Sequence, residues 1–176
     1  MKVNSHRGRI LSSLFFVPLA LTTLSHMANA ADSTINITGT VVASPCTAEA
    51  EKNINLGDID ASKLATTGTT SPLVSFSISL TDCPATTTSA IATFSGTASN
   101  TDYYANTGTA KNVDVELMTS YSSSNMGNGK TMNTGIDATT HAGTFNLKTR
   151  VRNDGKGSAV TPGSVSAAIQ VSIEYK

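Results

Sequence analysis

Residues 165–175 alternate so strictly that only one regular conformation suits them. Val165, Ala167, Ile169, Val171, Ile173 and Tyr175 take every second position, with Ser166, Ala168, Gln170, Ser172 and Glu174 between them. A helix would scatter the first set around its circumference. A strand puts all six on one face. The chain is thereby committed to a sheet whose last element has one buried side. The same period runs through 73–83, where Val74, Phe76, Ile78 and Leu80 alternate with Ser75, Ser77, Ser79 and Thr81. It recurs at 144–152, where Phe145, Leu147, Thr149 and Val151 alternate with Asn146, Lys148, Arg150 and Arg152. Shorter strands are expected at 90–95, at 113–118 and near 131–136, and Ile54 and Leu56 alternate within 53–58. Residues 61–71 read as a polar loop with room for one helical turn. Asn153-Asp154-Gly155-Lys156-Gly157 reads as a turn, and Gly129-Lys130-Thr131 as part of a polar hairpin loop. Short strands separated by turns at this spacing predict an all-β fold, an antiparallel sandwich of immunoglobulin type.

The first residues read as a leader rather than as part of that fold. Lys2, Arg7 and Arg9 precede an apolar run over 10–24, and Ala28-Asn29-Ala30 follows as a small-residue cleavage site. This is the pattern of a secretory signal peptide over 1–30. The run is too short to cross a bilayer comfortably, and no second one follows, so no membrane anchor is expected. Without Lys2, Arg7 and Arg9, nine basic residues face twelve acids, a net charge of about −3. That balance argues against nucleic acid or an anionic membrane as partner. Two cysteines remain, Cys46 and Cys83, and an even pair in an exported protein reads as one disulfide. The rival reading, a metal site, is poorly supplied, since His141 is the single histidine after the leader. No cofactor or metal is expected.

The exported chain begins on a further alternating stretch. Over 31–43, Ile35, Ile37, Gly39 and Val41 are interleaved with Asn36, Thr38 and Thr40. Leading segments usually fray unless something ties them down. At the other end, an immunoglobulin-like sandwich ordinarily carries one more strand after the position of 165–175. A surplus strand at one end and a deficit at the other predict head-to-tail assembly by strand addition between copies. Donor and acceptor surfaces differ, so such a contact propagates into a filament. Seven residues from 35 to 41 extend roughly 20 Å. Burying Ile35, Ile37 and Val41 would contribute on the order of 5–9 kcal/mol before ordering costs.

These features together resemble the pilins of the chaperone–usher pathway, close to the minor tip subunits of type 1 fimbriae. The resemblance rests on the extension with Gly39 inside it, the Cys46–Cys83 pair and Ala92-Thr93-Phe94-Ser95-Gly96 before Tyr103-Tyr104. It also rests on the pattern from Gly163 to the penultimate Tyr175. It implies an incomplete immunoglobulin-like domain over 44–176 that lacks its C-terminal strand, with a donor extension over 31–43. Carried over by position, Ile35, Ile37, Gly39 and Val41 resemble the donor face. Val165, Ile169, Val171, Ile173 and Tyr175 resemble the acceptor groove and chaperone contact. The implied partners are a periplasmic chaperone, an outer-membrane usher and neighbouring subunits. The implied route runs through the periplasm to a cell-surface fimbrium. Family donor strands often carry a bulky residue near the tip, where this chain has Ser33. A major rod pilin and a sugar-binding adhesin are the alternative roles. The exported chain leaves no room for a separate lectin domain.

No catalytic constellation stands out. Gly129-Lys130-Thr131 lacks the earlier glycine of a phosphate-binding loop, and Ser124 stands in its place. His141 sits in a turn-like stretch with no nucleophile elbow in the chain. A non-enzymatic protein is expected. The cysteine pair yields a first prediction. Replacing both Cys46 and Cys83 by alanine should cost about 4 kcal/mol in the chain-entropy account, read as a lower urea midpoint, and an unmoved midpoint would contradict the pairing.

Overall fold

Alternation becomes a ladder wherever two such segments lie side by side. The computed structural model of the chain describes residues 36–40, 45–156 and 159–176. Its strands in chain order are β1 (Thr47–Ala48), β2 (Val74–Thr81), β3 (Ser89–Gly96), β4 (Tyr104–Ala105) and β5 (Val113–Thr119). β6 (Thr131–Gly135), β7 (Gly143–Asn153) and β8 (Ile169–Tyr175) complete the series. One turn of 3-10 helix, Ala61–Leu64, is capped by Asp60, whose carboxylate accepts from the Ser62 amide at 2.9 Å. The hydrogen bonds from Ser62 hold the Asp60 carboxyl below its usual range. The chain divides into two units, residues 1–39 and 40–176, and among the described residues every strand belongs to the second.

Two antiparallel sheets form the second unit. One has the order β1-β2-β7-β5-β4 and the other β6-β3-β8. β7 is the long central strand of the first sheet. It pairs with β2 through Phe76↔Leu147 and with β5 through Val115↔Val151. β3 is central in the second, pairing with β6 through Ala92↔Met132 and with β8 through Phe94↔Val171. The core lies between the inner faces, where Leu80, Phe94, Phe145 and Leu147 are wholly buried. Cys46 and Cys83 are disulfide-bonded, as the sequence predicts, and tie the chain before β1 to the end of β2. Most polar side chains drawn inside find partners, as burial requires, with the Thr87 hydroxyl the exception among the described residues. Thr149 Oγ1 donates to the Glu116 carbonyl at 2.8 Å, and Asn153 Nδ2 to the Leu64 carbonyl at 2.8 Å.

Four expectations need adjusting. Residues 36–40 carry no strand and Ile37 is 90% exposed, although alternation marked 31–43 as one. Alternation encodes which face would be buried, but it supplies no partner edge. Residues 53–58 likewise carry no strand. The last strand starts at Ile169 rather than at 165, because residues 164 and 166 bond to a loop instead of to β3. β5 is buried on both faces from Val113 to Met118, although its sequence alternates. Asp114 and Glu116 are covered because β7 and the turn after it set cations against them. Glu116 faces Arg150 in register and pairs with its Nε, and Lys156 Nζ lies 3.9 Å from Asp114.

Tyr104 shows what the short strand β4 contributes. It is wholly buried, and its hydroxyl donates to the Met126 carbonyl at 2.9 Å. Burial pushes its pKa up to about 12. An unfolded tyrosine ionises near 10, so the fold favours the neutral phenol. The resulting stability is intact below about pH 10 and is lost as pH rises toward 12. Tyr104→Phe should therefore cost about 1 kcal/mol at neutral pH and flatten the alkaline limb of a melting-temperature profile. An unaltered limb would contradict the assignment.

Candidate functional site

β8 has β3 on one side and, among the described residues, no strand on the other. Its apolar row shows the consequence. Ile169, Val171, Ile173 and Tyr175 are only half-buried, while Ala90, Ala92 and Phe94 on the neighbouring β3 are wholly buried. An unpaired strand edge beside a half-covered apolar row is a template for another strand.

The row forms one wall of a groove of about 1550 Å³. Val165 and Ala167 extend that wall ahead of β8. The opposite wall is the strandless segment after β1, which presents Ile54, Leu56 and Ile59, all half-buried. The floor comes from the inner faces of β2, β5 and β7, through Phe76, Val113, Leu117 and Val151 among others. Two apolar clusters meet along it. Phe94, Leu117 and Leu147 belong to the larger, beside β8. Leu64, Ala110, Val113 and Val151 make the smaller, under Val160 and Val165. Glu49, Glu51, Asp58 and Asp60 line the groove with Lys52, which pairs with Glu49 at 2.7 Å. The groove is thus long, apolar at its base, and bordered by a backbone edge.

The structure brings Val165, Ile169, Val171 and Ile173 together on one wall, as their alternation predicts. Tyr175 lies at the end of the same row. Its hydroxyl reaches the Cys46 carbonyl at 3.5 Å, and burial pushes its pKa up. Ile37 and Gly39 lie in the other unit, in a segment without assigned secondary structure, and a Cβ on Gly39 would meet nothing within 4 Å. Ile35 and Val41 fall outside the described residues. The far wall escaped the sequence reading. Ile54 and Leu56 did alternate there, but alternation cannot distinguish a laddered strand from an extended wall. His141 is a turn residue with φ 51°, and its carbonyl accepts from the Cys83 amide at 3.0 Å.

The sequence pattern of a protein family described as fimbrial protein matches residues 35–176, and so spans the groove and all eight strands. The chain belongs to that family. It is 37% identical to the S-fimbrial adhesin protein SfaS of Escherichia coli O6:K15:H31 over 155 residues, 86% of this chain and 90% of the relative. It is 34% identical to Protein FimG of Escherichia coli K12 over 170 residues, 96% of each. Among solved structures, the P pilus rod subunit PapA superposes with a TM-score of 0.62 at 17% identity, covering 76% of this chain and all of that one. That likeness concerns the fold, the immunoglobulin-like sandwich of pilus subunits. The chain is thus a fimbrial subunit, and the groove lies within its pilin fold.

The groove wall offers a direct test. Ile169→Ala should weaken capture of a synthetic peptide of residues 31–41 roughly tenfold, since it strips apolar surface worth about 1–2 kcal/mol. Ser172→Ala, on the outward face and outside the groove lining, should leave capture unchanged. Equal effects from the two would show that the inward row is not the contact.

Proposed function

We propose that this fimbrial subunit is a non-enzymatic building block joined by strand exchange. Its groove takes the N-terminal extension of one neighbour, and its own Ile35, Ile37, Gly39 and Val41 fill the groove of the next. The observation that carries the reading is the one-sided pairing of β8 beside an apolar groove. An extended donor gives both things such a site lacks, a hydrogen-bonding edge and alternating apolar side chains. The pattern of 35–41 fits that demand. A periplasmic chaperone would shield the groove before assembly, and an outer-membrane usher would exchange the chaperone's strand for the neighbour's. The product is a fimbrium on the cell surface.

Within the fibre, a minor tip or adaptor position is the favoured place, with the major rod as the second reading. Likeness to a protein named as a fimbrial adhesin supports the first, and a fold shared with a rod subunit keeps the second in view. Quantitative mass spectrometry of purified fibres separates them. A minor subunit is present in few copies relative to the main component, and a rod subunit is the main component.

Deleting residues 31–41 after the leader should yield a subunit that accepts a strand but donates none. Cross-linking mass spectrometry of assembled fibres should then find it only at a chain end. Incorporation at internal positions would contradict the proposal.

A further inference from the structure

The chain leading into β8 is held from outside the groove. Around residues 161–166 it makes no ladder with β3 and lies instead on the loop of residues 106–111. Asn106 is the hub. Its Oδ1 accepts from the Gly108 amide at 2.9 Å and from the Ser166 amide at 2.8 Å, and its Nδ2 donates to the Ala110 carbonyl at 2.9 Å. Backbone bonds reinforce it, from Thr107 N to Ser166 O at 2.9 Å and from Ala110 N to Ser164 O at 3.0 Å. Thr109 and Ser164 bond reciprocally. Ser164 N donates to Thr109 Oγ1 at 2.8 Å, and Thr109 N to Ser164 Oγ at 3.0 Å.

Two glycines permit this contact. A Cβ on Gly108 would stand 2.2 Å from the Ser164 carbonyl oxygen, and one on Gly163 would stand 2.4 Å from the Ala110 nitrogen. Because Ser164 and Ser166 are bound to the loop, Val165 and Ala167 between and after them face the groove. Val165 there overlies the smaller apolar cluster, with Val113 in its floor and Leu56 across from it. Apolar side chains set across an open hollow attract one another. A wall segment without a ladder has little to resist that pull except the polar bonds behind it.

We propose that Asn106 is a positioning residue for strand capture. The polar clamp it centres holds residues 161–166 back, so that this end of the groove stays open until a donor enters. The proposal rests on the reading of the groove as a strand acceptor. The clamp acts before capture and is nearly redundant after it, because a bound donor then props the wall itself. Asn106 therefore governs the rate of entry more than the stability of the filled state, a case of preorganisation.

The test compares wild type, Asn106→Ala and Thr109→Ala, each as the full chain. Protein unfolded in guanidinium chloride is diluted into excess fluorescein-labelled peptide of residues 31–41. The bimolecular capture rate is taken from its dependence on peptide concentration. Capture should slow about tenfold in Asn106→Ala and about threefold in Thr109→Ala, with peptide release unchanged. Melting of the filled protein should shift by no more than about 3 °C. Capture within twofold of wild type in both variants would overturn the clamp. So would faster release and a lower melting point at an unchanged capture rate, which would mark Asn106 as merely structural. If Asn106→Ala does not fold, Thr109→Ala decides, because that side chain is exposed. A wild-type chain that captures neither this peptide nor the N-terminal extensions of the subunits it assembles with would overturn the acceptor reading itself, an outcome distinct from a variant that captures at the wild-type rate.

Discussion

Everything in this fold turns on a strand paired along one edge only. β8 gives its inner edge to β3 and meets no strand on its outer edge among the described residues. Its inward side chains are consequently half-covered. Backbone groups at such an edge are strong, obligatory hydrogen-bonding groups. Their alternatives are water or another chain. Apolar residues beside them disfavour water, so an incoming strand satisfies both needs at once. The same arrangement explains why the site is a groove rather than a cavity: its occupant must be extended, and its side chains must alternate.

The rest of the molecule keeps that groove in shape. The floor is firmly held, since β7 is paired on both sides, by β2 and by β5. Its outer face is covered in turn. Arg150 pairs with Glu116, and the Arg152 guanidinium lies 4.0 Å above the ring of Tyr103. Polar pairing behind the sheet leaves its apolar face free to serve as the base of the groove. The two walls are built differently from the floor. One follows β1 without a ladder of its own and is anchored through the disulfide and the Asp60-capped turn. The other enters β8 under the hold of residues 106–111. A rigid base with separately tethered walls is the form expected of a site that must receive a strand without melting the domain around it.

The sequence made much of this legible, for a physical reason. Period-two alternation records which side of a strand meets the core, so β2, β7 and the row ending in Tyr175 could be read directly, and the disulfide followed from an even cysteine count. The far wall was not legible, because Ile54 and Leu56 alternate as a strand would but find no partner. Nor were the burials of Asp114 and Glu116, since charges read as exposed until the register with Arg150 and Arg152 is known. The clamp was hidden for a similar reason. Asn106, Thr109 and Ser164 look like ordinary loop residues until the fold sets the loop against the segment before β8.

The most direct measurement of the central claim is calorimetry of the chain reduced to residues 43–176, scanned alone and then with a saturating peptide of residues 31–41. The open-seam account predicts a weak or absent cooperative transition for the reduced chain alone. With the peptide, a sharp transition should appear at a melting temperature higher by tens of degrees, since binding to the folded state alone raises stability by mass action. A reduced chain that melts cooperatively by itself, at a temperature the peptide does not move, would contradict the account.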